Sequence, residues 1–373
     1  MPPKNDAIYF PQKLAYILIC IIAAAYIAIV ASEIVIPLVF ALLISILLLP
    51  LAQQFEKKLK ASRGTASFFA LLLFATGIIT ILYTVGSQIS NLGHDLPLFR
   101  KQLTTSINDL QNWVANTFHL NLEKQKTYIN NAASKALSSG SAVIGSTLLS
   151  VSSILLFTVL TLIYTFFLLL YRSVLLKFLI ALVHDESAKV VHEVVSNIQL
   201  VIRKYILGLL FEMLIVATMC WLSFSILGIK YFILLGLITA LFNIVPYVGI
   251  FTALLLSALI TFATTGVSAH LLLVVITIIV IHLIDSNILL PFIVGSRVSI
   301  NAMVTVIGVV AGEMMWGIAG MFLSVPMIAM AKIICDRVEP LRPWAILLGH
   351  ERKEKSLKKI TIKPKRKKPQ EDK

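Results

Sequence analysis

Residues Asp285-Ser-Asn-Ile-Leu-Leu-Pro291 set a carboxylate, an amide and a helix-breaking proline inside one of the most apolar stretches of the chain. His270 to Ile284 precede them and Pro291 to Val294 follow, almost wholly hydrophobic. A charge at bilayer depth costs roughly 3 kcal/mol on insertion scales, so such a carboxylate faces a cavity, a partner or a transport path. Two further interruptions break the neighbouring apolar segments: Asn243, Pro246 and Gly249 in one, Gly312, Glu313, Gly317 and Gly320 in the other. Polar breaks of this kind in apolar helices read as a solute or ion pathway.

Asp285 has two readings. It lines that pathway and binds a cation or exchanges a proton, or it is a neutral or paired residue that caps the interruption before Pro291. Asn287 lies two residues away. His282 lies three residues before Asp285 and shares its face on a continuous helix, so a relay between the two is conceivable. Glu212 and Glu313 are the other deep carboxylates. Glu212 sits two turns from Arg203 and Lys204 and is expected to pair with them at the membrane interface; Glu313 is expected beside a turn that reaches a water-filled vestibule. Freed carbonyls around Asn243 and Pro246 could coordinate a cation or a hydroxyl-rich solute.

Enzymatic readings find no support. The chain contains no His-Glu-x-x-His, Walker loop, Gly-x-Ser-x-Gly or dinucleotide fingerprint. Cys20, Cys220 and Cys335 lie far apart with no metal-binding spacing, so neither a metal nor another cofactor is expected. Without a nucleotide-binding domain, transport would be downhill or driven by an ion gradient.

The elements that must position these residues follow from composition. Hydrophobic residues make up 58% of 373 and charged residues only 13%, where soluble domains carry about 25% charged. The expected fold is all-α: a polytopic helical membrane protein with about eight spans, the C-terminal ones broken or re-entrant. A cytoplasmic N-terminus (1–13) leads into three spans over 14–89, with a basic loop at 52–65. The first apolar run is long enough to span rather than serve as a cleaved signal. An external helical lobe covers 90–141, where apolar residues from Leu96 to Val114 recur at helical spacing. A fourth span (142–171) and an amphipathic interface segment (172–204) follow. The transmembrane core occupies 205–334, and a basic tail 335–373 ends the chain. Residues 351–373 hold eleven Lys/Arg against four Asp/Glu, half of the net charge of +14. After a membrane domain that run reads as a solvated tail that brushes anionic lipid, not as a nucleic-acid site.

The basic residues also orient the chain. Lysines before the first span, the cluster Lys57 to Arg63, and the group Arg172 to Lys204 all fall on the cytoplasmic side, which puts the 90–141 lobe outside. Segments 231–263 and 302–334 are each long enough for about 50 Å of straight helix against a hydrocarbon core of about 30 Å. Either both are tilted single spans, or both are hairpins flanking one true span at 270–294. The two versions put Arg297 on opposite sides, and the hairpin version is preferred.

The block Phe242-Asn-Ile-Val-Pro-Tyr-Val-Gly249, the run from Asp285 to Ile300 and the stretch from Gly312 to Pro326 resemble the autoinducer-2 exporter family of PerM-like permeases. The layout of the whole chain is similar to that family as well. Ile250 and Asn301 stand where the family often has proline. The resemblance implies an inner-membrane transporter with cytoplasmic termini that assembles as a homo-oligomer, a pentamer among some relatives. It also implies either export of a small polar solute such as the autoinducer-2 signal or sodium/proton antiport. A non-transporting membrane scaffold is the remaining alternative.

Overall fold

The computed structural model describes residues 6–95, a few positions between 97 and 108, and residues 153–184, 187–243, 248–265, 269–293 and 300–349. Most of the 90–141 lobe and the tail beyond 349 lie outside the described residues, as do Pro246 and Arg297. Everything extended enough to name is helical. Among the described residues six helices are long and apolar enough to cross a membrane. Their outward faces carry leucine, isoleucine and phenylalanine, as expected when lipid rather than water is the solvent.

Helix α1 (Asp6–Val30) turns directly into α2 (Ser32–Lys58), and α3 (Arg63–His94) follows. Ser62 caps α3 by accepting a hydrogen bond from the Thr65 amide at 3.3 Å. On α3, Thr76, Thr80 and Thr84 each donate to the carbonyl four residues back, so these three hydroxyls are satisfied within the helix in an apolar medium. Helix α4 (Ser153–Leu170) and the short α5 (Arg172–Ala181) precede the longest element, α6 (Ala188–Ile226).

Helix α6 unites two segments that the sequence reading kept apart. The apolar stripe of 172–204 and the span from 205 are one helix of 39 residues: no proline falls within 188–226, Gly208 is carried inside the helix, and the break comes only at Gly228, which takes φ 68°. Its buried residues Ile202, Tyr205, Leu209, Glu212, Val216, Cys220 and Phe224 recur every three or four positions. They form one continuous inner stripe against α2, α7, α9 and α10, which makes α6 the axis of the bundle.

Both broken segments are helical hairpins. Helices α7 (Phe232–Phe242) and α8 (Val248–Thr265) fold back on one another so tightly that Gly249 lies against the Phe242 carbonyl, where a Cβ would have no room. Eleven residues of α7 reach only about 16 Å, half of a hydrocarbon core of about 30 Å. This arm is too short to cross. Helix α9 (Ala269–Ile284, continued to Ile293) returns down the bundle. The second hairpin is α10 (Ala302–Arg337), reversed at Trp316 and Gly317, where Gly317 takes φ 60° and ψ −141°. Gly312 meets the Gly320 backbone and Gly308 meets Ile328, so the two arms run antiparallel. Asn301 caps α10 by accepting from the Met303 amide at 3.0 Å. The last helix among the described residues is α11 (Arg342–Leu348).

Polar contacts collect at the two ends of the bundle. At one end Lys230, in the turn between α6 and α7, pairs with Asp95 at 2.5 Å, and Tyr231 donates to the same carboxylate at 2.6 Å. The hydrogen bond to Asp95 raises the pKa of the Lys230 ammonium above its ordinary value. At the other end Arg172 binds both oxygens of Glu56, Arg63 donates to Ser173 and Arg337 pairs with Glu193. Ile300, just past α9, bridges to Gly349 at this second end, and the Asn301 amide donates to the Leu348 carbonyl at 3.0 Å.

That bridge is compatible only with the hairpin topology, because single spans would place 300 and 349 at opposite ends. An Arg297→Cys variant is therefore expected to react with an impermeant thiol reagent from the same side as Lys60→Cys, and from the side opposite Lys230→Cys. Labelling of 297 together with 230 would restore the single-span topology.

Candidate functional site

The end of α7, at Asn243, rests on two buried acids. Glu212 from α6 is 2% exposed and Asp285 from α9 is 4% exposed. The Asn243 amide, at the end of α7, donates to Asp285 Oδ2 at 2.9 Å and to Glu212 Oε1 at 3.4 Å. One amide thus holds two carboxylates. Among the described residues, Glu212 Oε2 and Asp285 Oδ1 are buried with no hydrogen-bond partner, and so is His282 Nδ1. Native interiors leave few such atoms, and those left mark functional positions more often than packing ones.

Each element has a local reason to bring its residue here. On α9, Val274, Ile278, Ile281 and Asp285 fall on one buried face at four- and three-residue steps. Beyond them the helix widens into a π-turn over Asp285–Leu289, and the Leu290 amide bonds the Asp285 carbonyl. Pro291 has no N–H, so the ladder must skip there, and the wider turn absorbs the missing donor. The interruption read from sequence is therefore a bulge in a continuous helix, not unwound chain. A narrow cleft beside the acids is lined by Val216, Thr239, Asn243, Ile278, His282 and Asp285.

The sequence-predicted residues divide. Asn243, Asp285, Glu212 and His282 converge, with Gly249 buried at the hairpin neck beside them. Asn287 and Pro291 do not join: Asn287 is exposed and donates to the Leu283 carbonyl at 2.8 Å, while Pro291 faces outward. Glu313 is exposed on the second hairpin, three residues before the Trp316 whose indole donates to the Ala28 carbonyl of α1.

The expected pairing of Glu212 with Arg203 and Lys204 is overturned. At about 100° per residue, nine positions place Arg203 on the opposite face of α6 from Glu212. Tyr205, seven positions away, shares the acid's face and is buried with it. The signal was legible: Glu212 sits in register with Ile202, Leu209 and Val216. Among the described residues no group of three or more His, Cys, Asp or Glu is placed to hold a metal ion.

Two buried acids with no cationic partner among the described residues, joined by the Asn243 amide at the end of α7, can hold a proton or a cation, or accept hydrogen bonds from a hydroxylated solute. The comparisons with known proteins agree in kind. The sequence pattern of the AI-2E family of transporters matches residues 16–339. The chain is similar to YueF of Bacillus subtilis (strain 168), provisionally named a transport protein, at 23% identity over 349 residues, 88% of this chain and 92% of that one. It is 24% identical over 328 residues to the AI-2 transport protein TqsA of Escherichia coli (strain K12), covering 87% and 92% of the two chains. YrrI of Bacillus subtilis (strain 168), also provisionally named for transport, is 38% identical over 130 residues, about a third of each chain. With a match from the first span to the end of the second hairpin, this chain belongs to the AI-2E transporter family and is a multi-pass membrane transporter.

Proposed function

We propose that the chain is a secondary transporter that exports a small polar solute, with Glu212, Asn243 and Asp285 as its central site. The observation that carries this reading is the pair of buried carboxylates held by a single amide at the end of α7. A static core would place apolar side chains there, because uncompensated acids are costly in low dielectric. Acceptor oxygens left unpaired suit a hydroxyl-rich molecule, and the relative named for AI-2 transport supports a signal of that kind as cargo.

The end of the bundle that carries Lys57, Arg63 and Arg172 is assigned to the cytoplasm on its basic residues. The termini then lie on that side of the bacterial inner membrane, and the Lys230–Asp95 pair faces out. In reconstituted vesicles Asp285→Asn is expected to abolish solute flux while the purified protein keeps its oligomeric size. Full flux in that variant removes Asp285 from the mechanism.

The absence of a basic partner at the described acids also favours a second reading, a sodium/proton-type antiporter in which the pair binds the cation itself. Sodium-dependent proton movement in vesicles without any organic solute separates it from the first.

A further inference from the structure

The cleft-lining face of α8, which includes Ile250 and Ala253, continues one and two turns further on as Ser257 and Thr261. Both are fully buried, at 0% exposure, and neither hydroxyl oxygen has a hydrogen-bond partner among the described residues. Helical serines and threonines in apolar surroundings ordinarily bond the carbonyl three or four residues back. Thr76, Thr158, Thr165 and, on α8 itself, Thr265 all do so. A buried hydroxyl left unmade costs about 1–3 kcal/mol, and here two stand in line.

Their line has a direction. Helix α8 starts at the hairpin tip, beside Asn243, and ends at Thr265 near the Lys230 end of the bundle. At about 1.5 Å per residue, Thr261 lies about 6 Å and Ser257 about 12 Å in from that end. The next polar groups inward are Thr239 and Asn243 on the cleft, then the acids.

We infer that Ser257 and Thr261 are stations of a proton path through the first hairpin, joining the Lys230 end of the bundle to the Asp285–Glu212 pair. The inference rests on the transport reading above. One helical turn separates the two hydroxyls, so water bridges them. Each hydroxyl accepts a hydrogen bond from the water on one side and donates to the next group on the other. A proton entering at the mouth releases one to a carboxylate oxygen, and no covalent bond other than O–H is made or broken.

The test uses the full-length protein in liposomes that contain a pH-sensitive dye, with proton entry driven by a potassium diffusion potential. The shape-conserving double variant Ser257→Ala/Thr261→Val is expected to slow proton entry about tenfold, the scale of one lost hydrogen bond. Thr261→Ser should retain the rate, and Thr158→Val, which removes a hydroxyl bonded within its own helix, should leave it unchanged. Ser257→Ala alone, one atom smaller, provides the measurement should the double variant fail to assemble. Wild-type rates in the double variant, with Asp285→Asn inactive, overturn the path and leave the site standing. Undiminished flux in Asp285→Asn overturns the site and the path with it. Wild-type vesicles that admit no protons overturn the path.

Discussion

Replacing Glu212 by glutamine and Asp285 by asparagine together should abolish transport and at the same time make the purified protein more stable to heat. Each acid is almost wholly buried, and the Asn243 amide donates to both. No cation in the described structure balances them. The amide replacements keep the shape, remove two buried ionisable groups and add N–H donors where, among the described residues, Glu212 Oε2 and Asp285 Oδ1 have no partner. Exchanges of buried charged groups for neutral ones of similar volume stabilise by about 1–4 kcal/mol where the charges served function rather than folding. Solute flux and a thermal melt of the same preparation check both halves. A double variant that melts lower than the parent would show that the acids hold the fold, and one that still transports would separate them from the mechanism.

The second large effect concerns the other hairpin. Gly320→Val should prevent accumulation of folded protein or cost at least about 3 kcal/mol, as overpacking does when backbone rather than a flexible side chain is in the way. A Cβ at Gly320 would collide with the carbonyl and Cα of Gly312, and one at Gly312 would collide with the Gly320 backbone. Neither arm can step aside, because Phe322 stacks on Phe40 of α2 at 5.4 Å and Leu323 is buried against Leu43 and Ile46. Gly77→Ala is the control: nothing lies within 4 Å of its would-be Cβ, and an alanine in mid-helix is worth up to about 1 kcal/mol over glycine. Yield and melting temperature of the two variants side by side are the measurement. A Gly320→Val protein as stable as the parent would mean that the arms are not in backbone contact.

The helical membrane architecture was legible in the chain because apolar length is a local property. The runs at 32–58, 66–89 and 302–334 announce helices without reference to their neighbours. The two broken segments were legible as breaks, since Asn243, Gly249, Gly312 and Gly317 stand out from apolar surroundings. Whether each break was a kink or a reversal was not, because both use glycine. Only the contact of Gly312 with Gly320 and the bridge from Ile300 to Gly349 separate the two. Asp285 declared itself by its cost in lipid. Asn287 and Pro291 seemed equivalent to it in sequence, yet the π-turn rotates them to the outer face.

The sequence by itself determined which medium the protein occupies, which stretches are helices, and that Asp285 and Asn243 sit where a polar group needs a reason. Those facts follow from transfer free energies and local periodicity, which a linear chain carries residue by residue. The tertiary structure alone decided that Glu212 turns inward to face Asp285 instead of pairing with Arg203, and that one asparagine joins the two. Such meetings join positions 31 and 42 residues apart. They are set by how α6, α7 and α9 pack, and no short window of sequence contains that packing.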